Sequence, residues 1–151
     1  MTVLIIYDSV FGNTEQIARA IGNALGSQED VEIVRVSNVK PEQLTGLKLL
    51  IVGSPTHGGR PTPAIQDFLK KVFKRAIRGI NVAAFDTRFS TRLVWIFGYA
   101  AGRIADSLKR NGGTLIASPE GFFVKGKKGP LKEGELERAA SWAKVIVKSG
   151  K

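Results

Sequence analysis

Three short stretches of this chain hold residues whose types and spacing suit them to chemistry, and each follows an apolar run. The first is Asp8-Ser9-Val10-Phe11-Gly12-Asn13-Thr14, set between the run Val3-Leu4-Ile5-Ile6-Tyr7 and a helical pattern. A strand, a hydroxyl- and glycine-bearing loop and a helix start, in that order, make an anion site. The first helical amides have no intrahelical acceptor, and the helix dipole adds positive potential. Ser9, Asn13 and Thr14 contribute side-chain donors, and Gly12 lets the backbone come close to a ligand. The chemistry expected here is the grip of a phosphate monoester. No Gly-x-Gly-x-x-Gly follows the strand and no Gly-Lys-Ser/Thr closes the loop, so dinucleotide and triphosphate readings drop out. The plainer alternative is a strand-to-helix turn in which Asn13 or Thr14 caps the helix.

The second stretch is Ser54-Pro55-Thr56-His57-Gly58-Gly59-Arg60-Pro61. Its glycines and prolines predict a shaped turn whose backbone amides suit the edge of a flat heterocycle. The third is Asp86-Thr87-Arg88-Phe89-Ser90-Thr91-Arg92, in which Asp86 and Arg88 read as an ion pair that shapes the loop; direct contact of either with a bound ring is the alternative. His57 is the single histidine, cysteine is absent, and no serine-nucleophile motif surrounds the histidine. Hydrolase, thiol and zinc readings therefore find no partner residues, and neither an acid/base catalytic residue nor a metal-ligand set is assigned. His57 is read as lining a site by contact or a hydrogen bond rather than as a proton carrier.

The elements that must position these loops alternate along the chain. Ile17, Ala18, Ile21 and Leu25 recur at helical spacing, with Gly26 placed to stop that helix, and Val31, Ile33 and Val36 suggest a second strand before a turn at Pro41-Glu42. Leu47 to Gly53 is a near-continuous apolar run, as in a strand buried on both faces of a parallel sheet. A helix carrying Ile65, Phe68, Leu69, Val72 and Phe73 follows, then a fourth strand from Ile80 to Phe85 and a helix from Ile96 to Arg110. Thr114 to Ala117 and Phe122 to Val124 read as a fifth strand in two pieces, with the Phe122-Phe123 pair in the core. Leu136, Ala139, Ala140, Ala143 and Ile146 mark a last helix, entered through Pro130 with acidic residues in its first turn. Such alternation predicts a doubly wound α/β sandwich of three layers with right-handed crossovers. Ligands of that architecture sit at the carboxyl ends of the strands, where neighbouring connections leave to opposite faces. No linker, repeat or low-complexity tract divides residues 1–151, which are read as a single domain.

On these residues the chain resembles the flavodoxin family, over essentially its whole length. The loop Ser9-x-x-Gly12-x-Thr14 is similar to the loop that holds the phosphate of FMN in that family, and the later two loops stand at matching strand ends. The resemblance, not the spacing, implies a five-stranded parallel sheet in the order 2-1-3-4-5 with FMN as cofactor. It implies phosphate contacts from Ser9, Val10, Phe11, Gly12, Asn13 and Thr14, and ring contacts from Pro55, Thr56, His57, Gly58 and Gly59. Asp86, Thr87, Arg88 and Phe89 then cover the pyrimidine side of the ring. Flavodoxins commonly stack the ring between aromatic side chains, whereas the second loop here carries only His57. Phe89 or Trp95 is the expected cover for one face, each having an alternative reading as a core or helix-face aromatic. The stretch Gly126 to Glu137 is similar to one in short flavodoxin-like proteins and points to no activity by itself.

Charge is where this sequence departs from the family, whose members are usually acidic near the flavin. There are 23 Lys+Arg against 13 Asp+Glu, a net charge of +10. Lys70, Lys71, Lys74, Arg75, Arg78, Arg88, Arg92, Arg103, Lys109 and Arg110 face only Asp67, Asp86 and Asp106 in that part of the chain, and Lys125, Lys127 and Lys128 extend the excess. A field of that sign attracts acidic partners, although a solvated basic surface is the plainer reading. No nucleic-acid motif accompanies it. With Arg60, Arg88 and Arg92 in the ring-contacting loops, a bound flavin is expected to have a less negative potential than in acidic relatives. Met1 is not followed by a basic leader, and no apolar stretch approaches the roughly twenty residues of a membrane span, which gives a cytoplasmic expectation. The function expected is an FMN-dependent electron carrier serving a redox protein partner, an acidic one being favoured by the charge. The alternatives are an FMN-dependent reductase that takes electrons from NAD(P)H to quinones or other small acceptors, and a flavin-free binding module of the same fold.

Overall fold

The computed structural model describes residues 2–72, 74–89 and 99–150, with Lys74 and Arg75 described by their backbone alone. Strand β1, Thr2–Tyr7, is followed by helix α1, Asn13–Leu25, and by β2, Asp30–Arg35. Short 3-10 turns at Val36–Asn38 and Pro41–Leu44 lead to β3, Leu47–Pro55, and to α2, Pro63–Lys71. A single turn, α3 at Lys74–Ile77, precedes β4, Asn81–Phe89, and after residues 90–98 comes α4, Ala100–Arg110. The chain ends with β5, Thr114–Leu115, β6, Glu120–Val124, and α5, Glu135–Ser149.

All strands pair in parallel, in the order β2-β1-β3-β4-β5, with β6 also on β4. This is the expected flavodoxin-like order. Side chains of a strand point alternately to the two faces, so one apolar run can feed two cores. Val3, Ile5, Leu49, Ile51 and Phe85 pack with Ile17 and Ile21 of α1 and with Ala139, Ala143 and Ile146 of α5. Leu4, Ile6, Leu50, Val52 and Val82 pack on the other face with Ile65 and Leu69 of α2 and with Ile104 and Leu108 of α4. Strand β2, at one edge, is half-buried along most of its length.

Some boundaries differ from the sequence reading, and the split of the fifth strand agrees with it. Strand β4 continues through Asp86, Thr87 and Arg88 to Phe89, because β3 pairs with it as far as Thr87 and β6 as far as Phe89. The fifth strand is indeed in two pieces, β5 against Asn81-Val82 and β6 against Phe85–Phe89. Pro130 does not open the last helix: its carbonyl accepts from the Lys125 amide in a turn, and α5 begins only at Glu135, with Glu135 and Glu137 in the first turn. Phe122 is core, its ring edge-on to Phe85 and Trp142, whereas Phe123 is only half-buried.

A polar clasp fastens α5 to β6. The Glu135 carboxylate accepts from the Phe123 amide at 2.7 Å and from Arg138 at 2.7 and 3.0 Å. Arg138 also bonds Glu120 at 2.9 Å and the Gly121 carbonyl, while its guanidinium lies 4.5 Å from the centre of the Phe122 ring. The hydrogen bond from Arg138 holds the Glu135 carboxyl below its ordinary range, against the opposing effect of burial and with help from the Phe123 amide. A carboxylate with a lowered folded-state pKa contributes stability that is present above its unfolded value and lost as pH falls through the folded one. The melting-temperature gap between the wild type and Glu135→Gln should therefore be widest near about pH 7 and shrink toward about pH 3. A gap constant across that range in thermal scans would show that the clasp does not depend on the charge of Glu135.

Candidate functional site

The first loop is held open from its underside. Gly12, at φ 91°, stands immediately before α1, and neither Asn13 nor Thr14 acts as the helix cap. The Ser9 hydroxyl takes that role, accepting from the amides of Gly12 at 3.1 Å and Glu15 at 3.3 Å. Asp8 accepts from the Ser9 amide at 2.9 Å and from Arg35, which reaches over from the end of β2 and also donates to the Ser9 carbonyl at 2.9 Å. Among the described residues the amides of Val10, Phe11, Asn13 and Thr14 have no acceptor, and the space over Gly12 is empty to 4 Å. Neighbouring unpaired amides at a helix start can serve as a nest for an anion.

The second loop follows β3 as a tight hairpin. His57 and Arg60 exchange backbone hydrogen bonds of 2.9 and 3.1 Å around Gly58 and Gly59, both at positive φ, as a mirror-image turn requires. That leaves the amides of Gly58 and Gly59 without an acceptor among the described residues. The Gly59 carbonyl is taken by Arg103 at 2.9 Å, and the Thr56 amide donates to the Thr87 carbonyl at 2.9 Å. His57 is exposed at the hairpin's edge.

The third segment is organised by Asp86, which is 0 % exposed. Arg88 grips its carboxylate with two parallel hydrogen bonds of 2.7 and 2.8 Å, and the Ala101 amide at the start of α4 donates at 2.9 Å. Burial pushes the Asp86 carboxyl upward, while Arg88, the Ala101 amide and the Thr56 hydroxyl pull it back. The Arg88 guanidinium stacks on Tyr99 at 3.3 Å from the ring centre and fills the space beside Gly121, where any side chain would collide with it. Next along the strand, the Thr87 hydroxyl meets that of Thr14 at 2.7 Å, in a buried contact that joins the third segment to the first.

The structure thus gathers Ser9 to Thr14, Pro55 to Gly59 and Asp86 to Phe89 at the carboxyl ends of β1, β3 and β4. Val10, Phe11 and Phe89 expose 54 %, 45 % and 48 % of their surface there. Trp95 and Arg92 lie outside the described residues. Arg88 is the ion-pair member, so its field at the crevice is that of a neutralised pair and not of a lone cation. Sequence reasoning gave no role to Arg35 or to the segment after β6. In that segment the Lys128 carbonyl accepts from the Asn13 side chain at 3.2 Å, and Gly129 lies directly against Asn13. The only signal for Arg35 was its place at the end of a strand adjoining β1.

A family model described as flavodoxin matches residues 5–142. The chain belongs to the flavodoxin family. Flavodoxins bind FMN and transfer electrons. An archaeal flavodoxin has the same fold with a TM-score of 0.83 at 22 % identity, covering 99 % of both chains. Flavodoxin 1 of Bacillus cereus gives 0.81 at 18 % identity over 98 % of each chain. Rubredoxin:oxygen oxidoreductase of Desulfovibrio gigas gives 0.77 at 22 % identity, this chain covering 99 % of itself and 36 % of that protein. No curated protein matched in sequence. No helix among the described residues is long and apolar enough to cross a membrane, and those residues contain no cluster suited to a metal ion.

Removing one partner of a buried pair leaves the other charge uncompensated, at a cost of about 3 to 5 kcal/mol. Arg88→Gln in this flavodoxin should therefore lower the unfolding free energy by about 3 kcal/mol or more, read by urea denaturation. A loss below about 1 kcal/mol would mean that the pair is not what fixes this end of β4.

Proposed function

We propose that this flavodoxin holds FMN with the phosphate in the Ser9–Thr14 nest and the ring between the Pro55–Gly59 hairpin and the Asp86–Phe89 strand end, and passes electrons between redox protein partners in the cytoplasm. The observation that carries the reading is the set of unpaired amides at Val10, Phe11, Asn13 and Thr14, around a glycine over which the space is open. That donor set matches a phosphate monoester in chemistry and in number. In this reading Ser9 fixes the loop by accepting the Gly12 and Glu15 amides, and Arg35 braces it from the side. Thr14 and Thr87 keep the phosphate and ring segments in register through their shared hydrogen bond. The Gly58 and Gly59 amides are directed to the edge of the heterocycle, and the exposed Phe89 and Phe11 exclude water beside it. When bound, the flavin supplies the redox chemistry, and the protein supplies binding, orientation and electrostatics.

Titration of the apoprotein tests the phosphate assignment. FMN should bind at least about a hundredfold more tightly than riboflavin, which leaves the nest without its anion. Thr14→Ala and Ser9→Ala should each weaken FMN about tenfold while riboflavin changes little. Equal weakening of both ligands would reduce the loop to scaffold.

The basic balance of the chain sets a second expectation. Arg60, exposed on the hairpin and without an ion-pair partner among the described residues, is the cation of the second loop. A nearby cation favours the more negative, reduced cofactor, and salt weakens the effect. Arg60→Gln should lower the midpoint potential by roughly tens of millivolts at low ionic strength, with the difference fading in high salt. Identical potentials in potentiometric titration at low salt would show that this charge faces away from the cofactor.

A further inference from the structure

A groove of about 560 Å³ runs between α2 and α4, beginning at the second loop. Arg103, Ser107 and Arg110 recur at helical spacing along one of its walls, and Gln66 and Lys70 along the other, with Arg60 at its mouth. At about 1.5 Å of rise per residue, Arg103 and Arg110 are about 10 Å apart along the axis of α4. The basic lining is therefore a stripe rather than a point. Asp67 and Asp106 belong to the same helices but do not line the groove, and no other carboxylate lines it. Arg103 is committed in part to the Gly59 carbonyl, which ties the groove wall to the turn of the second loop. Lys70 and Arg110 are exposed and have no ion-pair partner among the described residues.

We propose that this α2–α4 groove docks an acidic segment of a redox partner protein, lying along the stripe with one end at Arg60. The proposal rests on the electron-carrier reading above and adds the surface and the chemistry of its partner. Charge complementarity selects the occupant: several cations spaced over about 10 Å match successive carboxylates of an extended chain better than one small anion. The groove is open to solvent along its length and has little apolar wall beyond Pro61 and Leu69, so it does not enclose a heterocycle. Among the described residues it carries no aromatic side chain on which nucleic-acid bases could stack. Its mouth is the hairpin assigned to the flavin edge, so a partner seated there lies beside the cofactor. Its far end lies away from that edge, where docking affinity can be altered without touching the cofactor.

The test is an NMR titration of the isotope-labelled, FMN-loaded protein with a hexaglutamate peptide, with flavin absorbance followed in the same samples. The expected result is shifts confined to the amides of Arg60, Gln66, Lys70, Arg103, Ser107 and Arg110, with affinity falling about tenfold in the Lys70→Glu, Arg110→Glu double variant. FMN affinity stays unchanged in that variant. Should charge reversal disturb folding, the neutral Lys70→Gln, Arg110→Gln pair should still weaken the peptide about threefold. The proposal is overturned if the shifts map to another face, if both variants bind the peptide like the wild type, or if inorganic phosphate or a single-stranded oligonucleotide displaces the peptide at lower concentration. Loss of flavin absorbance with the groove titration intact would count against the cofactor assignment and not against the groove.

Discussion

A carboxylate removed from water at the end of the central sheet governs this molecule. An unpaired buried charge is costly enough that the surroundings of Asp86 must supply donors, and they come from three places in the chain, with a fourth leaving room for one of them. Arg88 lies on the same strand, the Ala101 amide opens α4, the Thr56 hydroxyl belongs to the second loop, and Gly121 leaves room for the guanidinium. Satisfying one side chain thus fixes where β4 ends, how α4 starts and how the second loop approaches. Tyr99, beneath the guanidinium, becomes part of that support and not an exposed stacking surface.

The first loop has the opposite character. Where Asp86 is saturated with partners, Val10, Phe11, Asn13 and Thr14 have amides with nothing to bind. A chain can leave donors unpaired only where water or a ligand reaches them, so the contrast between the closed knot and the open nest marks which part is frame and which part is receptor. The Thr14–Thr87 contact is the seam between the two.

Much of this was legible in the sequence, for identifiable reasons. Val3 to Tyr7 and Leu47 to Gly53 are buried on both faces, so their apolar runs announce central parallel strands without ambiguity. The Asp86–Arg88 pair was readable because its members are neighbours. Strand β4 extends past Phe85 although Asp86, Thr87 and Arg88 look like loop in the sequence; pairing with β3 as far as Thr87 and with β6 as far as Phe89 makes them strand. Gly12 rather than Asn13 precedes the helix because a serine three residues earlier caps it, a pattern that composition does not reveal. Contacts such as Asn13 to Lys128, 115 residues apart, leave no local trace in the sequence at all.

The lateness of β6 in the chain has a consequence for how the molecule is made. Residues Arg88 and Phe89 become strand only with Phe123 and Val124 beside them, and β6 is itself fastened by Glu135 and Arg138 of α5. Parallel pairings of this separation form slowly, after the local elements. On the ribosome, where synthesis proceeds at about 5 to 20 residues per second, the first loop is exposed seconds before the end of β4 can close beside it. The crevice between the loops is therefore completed only after α5 has been made, and a nascent chain stalled before α5 would carry the open amides of the first loop with no crevice behind them.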